Sequence, residues 1–243
     1  MLESLHPRGD LELFRDLITQ IKSNKPTTPL WVVGLDEAGA GCLAGPLFAA
    51  AYAFPVTAES ETLALSCLVH DSKKLSEKQR EEAHLILRDQ KNFRFKVKEI
   101  PIQTIEEKNI YWARMLAFEE LIDEMSEELE GEAIFIVDGP RLHRSSDRLN
   151  QLGDKSEVPE HVFAFSKADG TYFAVAAAAI LAKVGRDHHM IALAKDFPNY
   201  DWQKNKGYAT ADHREAILQW GLCVHHRPSF CTKIAPALPW KSV

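Results

Sequence analysis

Two adjacent carboxylates, Asp36 and Glu37, close an apolar run (Leu30, Trp31, Val32, Val33) and lead into a loop carrying the glycines Gly39, Gly41 and Gly45. Neighbouring strand residues point to opposite faces, so the pair could share an ion only if the backbone twists at once past Asp36. Gly39 and Gly41 permit that twist, and without Cβ atoms they let a ligand approach the backbone amides. A charged pair beside open amides suits metal-assisted chemistry on a phosphate or sugar, although solvated acids on a surface hairpin would read the same way. Two further acids stand at or just past expected strand ends, Asp138 before Gly139-Pro140, and Asp169. Taken singly, Asp138 also reads as a turn residue and Asp169 as an acid near a helix N-cap. Acids converging in a crevice at a sheet edge are costly to bury without a cation. Two divalent ions about 3.5–4 Å apart would neutralise them and clamp the attacking and leaving oxygens of a phosphodiester. Oxygen-only ligation selects Mg²⁺ or Mn²⁺ over zinc.

The elements that would position these acids alternate along the chain. Leu11, Phe14, Leu17, Ile18 and Ile21 repeat at helical spacing, predicting a helix over about 10–22. Strands are expected over 30–36 and 43–54, the second buried on both faces. Ser76-Glu77-Lys78-Gln79 has capping-box form and should open a helix reaching Arg88. The alternation of Phe93 to Lys98 predicts a half-exposed strand, and Thr104 with Glu107 a second capping box, opening a long helix that Gly131 ends. Short strands follow at 133–137, ending at Asp138, and at 162–165; helices are expected over 172–195 and over 210–220, the latter stopped by Gly221. This order fits an α/β protein with a mixed sheet.

Composition bounds the class. The chain has 243 residues, 45% hydrophobic and 26% charged, enough for one large core and too apolar for disorder. Cys42, Cys67, Cys223 and Cys231 show no paired metal spacing, so free thiols in a cytoplasmic protein are expected. Glu3 and Asp10 interrupt any signal-peptide core. The uncharged stretch Ala38 to Ala58 could span a bilayer by length, but its glycines and prolines argue for a buried strand, and no membrane partner is expected. The net charge of −6 speaks mildly against a nucleic-acid partner, yet the acids crowd 119–132 while bases gather elsewhere, so one basic and one acidic face are compatible with it.

In order, these residues resemble the type 2 ribonucleases H (ribonuclease HII) from about Val32 to Phe230. The landmarks are Asp36-Glu37-Ala38-Gly39 with Leu43-Ala44-Gly45-Pro46; Asp71-Ser72-Lys73-Lys74-Leu75-Ser76; Asn109-Ile110; Val137-Asp138-Gly139; Lys167-Ala168-Asp169; Ala176 to Asp187; and Lys206-Gly207-Tyr208-Ala209-Thr210 with His213. The resemblance implies a ribonuclease H-like mixed sheet flanked by helices, with a small helical C-terminal part. It divides the chain into an N-terminal helical extension (1–29), a catalytic domain (30–195) and a C-terminal substrate-binding part (196–243). It implies an endoribonuclease that cuts the RNA strand of RNA–DNA hybrids. The same enzyme would cut ribonucleotide-containing duplex DNA on the 5′ side of a single embedded ribonucleotide, leaving 3′-hydroxyl and 5′-phosphate ends. By position the family's metal-binding, catalytic acids fall on Asp36, Glu37, Asp138 and Asp169, with Mg²⁺ or Mn²⁺ as cofactor; Asp187 ranks below them because an i,i+4 ion pair with Lys183 explains it.

Substrate contacts implied by the resemblance are the loop Gly39-Ala40-Gly41, whose backbone would read the 2′-hydroxyl, and Tyr208, which would stack on the sugar at the junction. Tyr208 is also readable as an ordinary half-buried tyrosine. Lys73 and Lys183 are expected phosphate contacts, with Lys74, Lys206, Thr210 and His213 as further candidates, while Arg227 could bind phosphate or dock the C-terminal segment. Three positions depart from the family pattern: Ala40 replaces the usual arginine of the loop, Cys42 stands where proline is common, and Ala179 replaces a serine. The alternatives are a ribonuclease HIII-like enzyme preferring longer RNA runs, against which only about thirty residues precede Asp36, and a non-catalytic hybrid-binding module, against which the acid set is intact. A monomer is expected; no protein partner is assigned, and the tail Ala237-Leu238-Pro239-Trp240-Lys241 holds no convincing clamp-binding box.

Overall fold

Apolar residues on both faces of its first part, Leu30 to Leu35, make Leu30–Ala38 (β1) a central strand. In the computed structural model, which describes residues 15–24, 28–57, 75–139 and 161–234, β1 pairs antiparallel with Leu47–Pro55 (β2). Arg94–Ile100 (β3) pairs with the far side of β2, and Glu132–Asp138 (β4) runs parallel to β1, with Val162–Phe165 (β5) parallel beyond it. The sheet order is β3-β2-β1-β4-β5. Helices are Arg15–Asn24 (α1), Glu77–Arg88 (α2), Ile102–Glu128 (α3), Phe173–Asp196 (α4), Trp202–Asn205 (α5), Ala211–Trp220 (α6) and Pro228–Cys231 (α7). Alternation along β1 sends Val33 and Leu35 to a core with Phe118, Leu121 and Met125 of α3. Val32 goes to the opposite core, with Phe173 and Ala177 of α4 and Leu87 of α2. The sheet is therefore sandwiched between helical layers.

Helix α4 approaches β1 unusually closely because Gly34 lacks a side chain: a Cβ there would lie 2.1 Å from the carbonyl carbon of Ala174. The alanines of α4 keep its inner face thin, so the 3₁₀ turn before it, Ala168–Gly170, is drawn to the end of β4. On the other face, the acids of α3 meet a basic row on β3. Lys98 contacts Glu120 and Glu124 at 2.6 Å each, and Lys96 contacts Glu128 at 2.6 Å. The acidic run is thus partly spent inside the fold rather than forming one uninterrupted acidic face.

Several boundaries differ from the sequence expectation. β1 does not end at Asp36 but stays paired through Ala38, opposite Phe48 of β2. β2 begins at Leu47 rather than Leu43, because Gly45 takes φ +83° and Leu43 to Gly45 bond to the C-terminal part: Leu43 N donates to Gly207 O (2.9 Å) and Gly45 N to His225 O (2.8 Å). The capping box at Ser76 and Gln79 forms as read. The one at Thr104 does not, because Pro101 already starts α3 from extended backbone and its carbonyl accepts from Ile105 N. Within α3, Asn109 (φ 63°, ψ 164°) breaks the helix and recaps it, its Oδ1 accepting from Tyr111 N (3.0 Å) and Trp112 N (3.2 Å). Residues 10–14 of the expected first helix, the 71–74 motif with Lys73 and Lys74, Cys67 and the tail 237–241 lie outside the described residues. Cys42, Cys223 and Cys231 are free and buried, and no helix among the described residues is long and apolar enough to cross a membrane.

Candidate active site

β1 stays paired through Ala38, so Asp36 and Glu37 leave it on opposite faces without the expected immediate twist, yet both line one cleft at the strand end. Asp36 lies on the α4 side, 6% exposed, its Oδ1 accepting from Glu37 N at 2.7 Å. Glu37 lies on the α3 side, where Arg114 Nη1 reaches its Oε1 at 3.3 Å. The parallel register pairs Leu35 with Val137, which brings Asp138 alongside Asp36 at the carboxyl ends of two neighbouring strands. Asp138 Oδ1 accepts from Ala168 N at 2.7 Å and so holds the 3₁₀ turn that carries Asp169, itself 4% exposed. Burial, then the charges of Glu37, Asp138 and Asp169, push the Asp36 carboxyl well above the ordinary carboxylate range. All four acids therefore act on one point electrostatically, although they come from three segments of chain.

A cleft at this sheet end is lined by Asp36, Glu37, Gly39, Ala40, Asp138, Ala179, Lys183 and Tyr208, among others. Gly41 stands at the exposed edge of the loop, where an added Cβ would meet nothing within 4 Å. Lys183 donates to both oxygens of Asp187, at 2.6 and 2.8 Å, so the i,i+4 pairing read from sequence forms and Asp187 is held by that lysine. Lys183 Nζ also lies 5.2 Å from the centroid of the Tyr208 ring, and Arg186 Cζ 5.7 Å from it. The Tyr208 ring is 37% exposed; burial first, then the Cys42 thiol to which it hydrogen-bonds, raise the phenol to about 12.

Beneath Tyr208 a row of neutral groups fixes its backbone. His213 Nδ1 meets the Tyr208 carbonyl at 2.9 Å, which leaves Nε2 as the acceptor for Trp202 Nε1–H at 3.0 Å. His226 Nδ1 accepts from Cys223 N at 3.0 Å, so its Nε2–H points to His213 Nε2 at 3.3 Å. Both rings are fully buried, and burial followed by the neighbouring His213 lowers His226 to about 3. An unfolded histidine titrates near 6.5, so between these values the unfolded chain binds the extra proton and this site loses about 1.4 kcal/mol of stability per pH unit below about 6.5. We expect the His226 ring-proton resonances to stay at their neutral positions down to about pH 5, while those of an exposed histidine titrate near 6.5. Movement of the His226 signals with a midpoint near 6 would contradict this arrangement.

Of the further candidates for phosphate contact, His213 and Lys206 are buried, while Thr210 is exposed at a helix N-cap. His213 is enclosed, Thr210 Oγ1 caps α6 by accepting from His213 N (3.2 Å), and Lys206 is 8% exposed, bonded to Gln203 O and 3.5 Å from Glu77. Arg227 is fully buried against the glycine loop, which excludes a direct surface contact. Two residues at the site went unread. Arg114 pairs with Glu37 across 77 positions of sequence, and Arg80 lines the cleft from α2; no spacing signal marks either.

The family model described as Ribonuclease HII matches residues 33–233. The chain is similar to Ribonuclease HII of Flavobacterium psychrophilum, 37% identical with 81% of this chain and 89% of the relative covered. Its fold is similar to RNase HII in the PCNA:RNase HII complex from Archaeoglobus fulgidus (TM-score 0.65, 29% identity, 83% and 94% covered). It is also similar to the ribonuclease H2 from Pyrococcus horikoshii (TM-score 0.63, 26% identity, 85% and 97% covered).

Proposed function

The chain belongs to the ribonuclease HII family, and from that premise we propose that it is a metal-dependent endoribonuclease that cuts on the 5′ side of a single ribonucleotide embedded in duplex DNA, as well as along RNA–DNA hybrids. Ribonuclease H activity on hybrids follows from the family; the finer substrate choice is our reading. One observation carries it: Asp36, Glu37 and Asp138 line one cleft, with Asp169 on the turn that Asp138 holds, and the other wall of that cleft is the Gly39-Ala40 loop and Tyr208.

A hard divalent cation fits this donor set by its chemistry. Every donor is a carboxylate oxygen, and Asp36 resists ionisation beside three other acids unless positive charge joins them. Among the described residues no three His, Cys, Asp or Glu side chains lie close enough together to hold an ion by themselves, so water and phosphate oxygens would have to complete its coordination. Asp36, Glu37, Asp138 and Asp169 would hold Mg²⁺ or Mn²⁺, which when bound would supply an activated water and charge neutralisation at the scissile phosphate. Arg114 keeps Glu37 in place, and Asp138 sets the turn carrying Asp169. Lys183 stands at the cleft wall beside Tyr208, where its charge would meet a phosphate. Cleavage of a duplex with one ribonucleotide, with and without added Mg²⁺ or Mn²⁺, tests the reading. A single cut on the 5′ side of the ribose, only with metal, is expected; cutting restricted to long RNA runs would favour the ribonuclease HIII-like alternative.

The altered loop gives a second measurable consequence. Ala40 lines the cleft, so Ala40→Arg adds a cation near the phosphates. We expect roughly tenfold tighter binding of the ribonucleotide-containing duplex at low salt and a salt slope steeper by about one. Unchanged affinity and slope at matched salt would place the added side chain away from the nucleic acid.

A further inference from the structure

Arginine is rarely enclosed without a carboxylate partner. Here two are. Arg186 and Arg227 are each 0% exposed, and among the described residues neither forms an ion pair. Their hydrogen bonds run instead to main-chain carbonyls. Arg186 donates to Pro46 O (3.0 Å), Ala44 O (2.8 Å) and Lys206 O (2.8 Å). Arg227 donates to Gly45 O (2.8 Å), Gly39 O (2.8 Å) and Ala40 O (3.3 Å). Arg227 Nη2 is buried with no acceptor among the described residues. For packing alone, an apolar side chain or a paired arginine would be less costly than two adjacent enclosed cations.

We propose that Arg186 and Arg227 are positioning residues for ribose recognition, locking the Gly39–Pro46 loop to the Lys206–Tyr208 turn and polarising the loop peptides that face the cleft. This rests on the function proposed above and extends it to two residues that touch no substrate. The peptide whose carbonyl is Gly39 O carries the Ala40 N–H, and the peptide of Ala40 O carries the Gly41 N–H. A cation drawing on each carbonyl makes the matching N–H a stronger donor to a sugar hydroxyl or phosphate. Ala40 faces the cleft and Gly41 faces open space, so both peptides lie at the surface a nucleic acid would meet. Arg186 adds the second half of the geometry, since it bonds the turn at Lys206 and lies 5.7 Å from the Tyr208 ring. Gly39 cannot be replaced without meeting it: a Cβ there would fall 2.0 Å from Arg186 Nε.

Lysine at either position keeps the charge and removes the planar fork. The test measures binding of the full-length protein to two duplexes, all-DNA and with one central ribonucleotide, by fluorescence anisotropy in EDTA at fixed salt; cleavage with metal is scored alongside. In folded Arg227→Lys, as judged by circular dichroism and melting, the preference for the ribonucleotide duplex should fall about tenfold while all-DNA binding shifts less than about threefold. Arg186→Lys should behave the same way and serves as the second variant should Arg227→Lys not fold. A folded variant that keeps its preference within about threefold overturns the proposal, as does failure of both lysine variants to fold, which would make the arginines structural pins only. If the unmodified chain cleaves and prefers the ribonucleotide duplex, such results sink only this inference. If it does neither, the proposed function falls with it.

Discussion

Asp138→Asn should leave a folded protein that cleaves a ribonucleotide-containing duplex roughly a thousandfold more slowly, or not measurably. Folding should be retained because a hydrogen bond that ties Asp138 to the following turn survives: its Oδ1 accepts from Ala168 N at 2.7 Å, and an asparagine oxygen accepts there equally well. What is lost is the charge and the second oxygen, replaced by an NH₂ that donates where a cation needs a donor atom with lone pairs. Asp36→Asn and Asp169→Asn should fall as far. Asp187→Asn should cost much less, since Asp187 is already satisfied by Lys183. An Asp169→Asn variant that cuts at near the native rate beside an inactive Asp187→Asn would show that the fourth acid has been misassigned.

The same substitution should have an opposite effect on stability without metal. Asp36 is held well above the usual carboxylate range by burial, then by Glu37, Asp138 and Asp169. A carboxyl raised in the folded state contributes stability below its unfolded value near 3.9, and that contribution is lost as pH rises through the folded value. Neutral pH in EDTA is therefore the condition in which the four acids strain the fold, and Asp138→Asn should melt at the same temperature or higher there. Adding Mg²⁺ or Mn²⁺ should raise the melting point of the unmodified chain and barely move the variant. A variant less stable than the native chain in EDTA would mean that Asp138 serves the architecture through its charge.

Part of this candidate site was legible in the sequence because Asp138 sits where a strand stops. Asp138 ends an apolar run before Gly139-Pro140, and strand length alone places it. The identity of the sheet neighbours was not legible. That β1 and β4 run side by side is a consequence of topology, and it is this pairing that puts Asp36 beside Asp138. A local rule also misled: glycines after Asp36 suggested an immediate twist, but pairing with β2 holds the strand straight through Ala38, so Asp36 and Glu37 divide between the faces. Glu37 then requires a partner on the α3 side, and Arg114 supplies it from a helix whose amphipathic pattern is blurred by the break at Asn109. From sequence Arg227 reads as either a phosphate contact or a dock for the C-terminal segment, and Arg186 is not singled out; nothing in their spacing reveals carbonyls gathered from distant turns.

Tyr208→Ala should separate recognition of the ribose from the chemistry. The ring is part exposed on the cleft wall, with Lys183 and Arg186 beside it and its carbonyl pinned by His213, so its orientation is set by groups that the substitution leaves in place. Stacking platforms of this kind contribute on the order of 1–3 kcal/mol in nucleic-acid complexes. The expected result is a loss in kcat/KM of roughly tenfold to a hundredfold on the single-ribonucleotide duplex. A continuous RNA–DNA hybrid should lose less, because there the neighbouring sugar carries a further 2′-hydroxyl that already fits the ring poorly. Tyr208→Phe keeps the face and gives up the hydrogen bond to Cys42, and should stay within about threefold of the native chain. Raising pH toward 10 should not mimic the loss, since the phenol titrates only near 12. Equal losses on both substrates would make Tyr208 a packing residue of the cleft wall, and the choice between one ribose and many would then have to lie in the loop backbone that Arg227 holds.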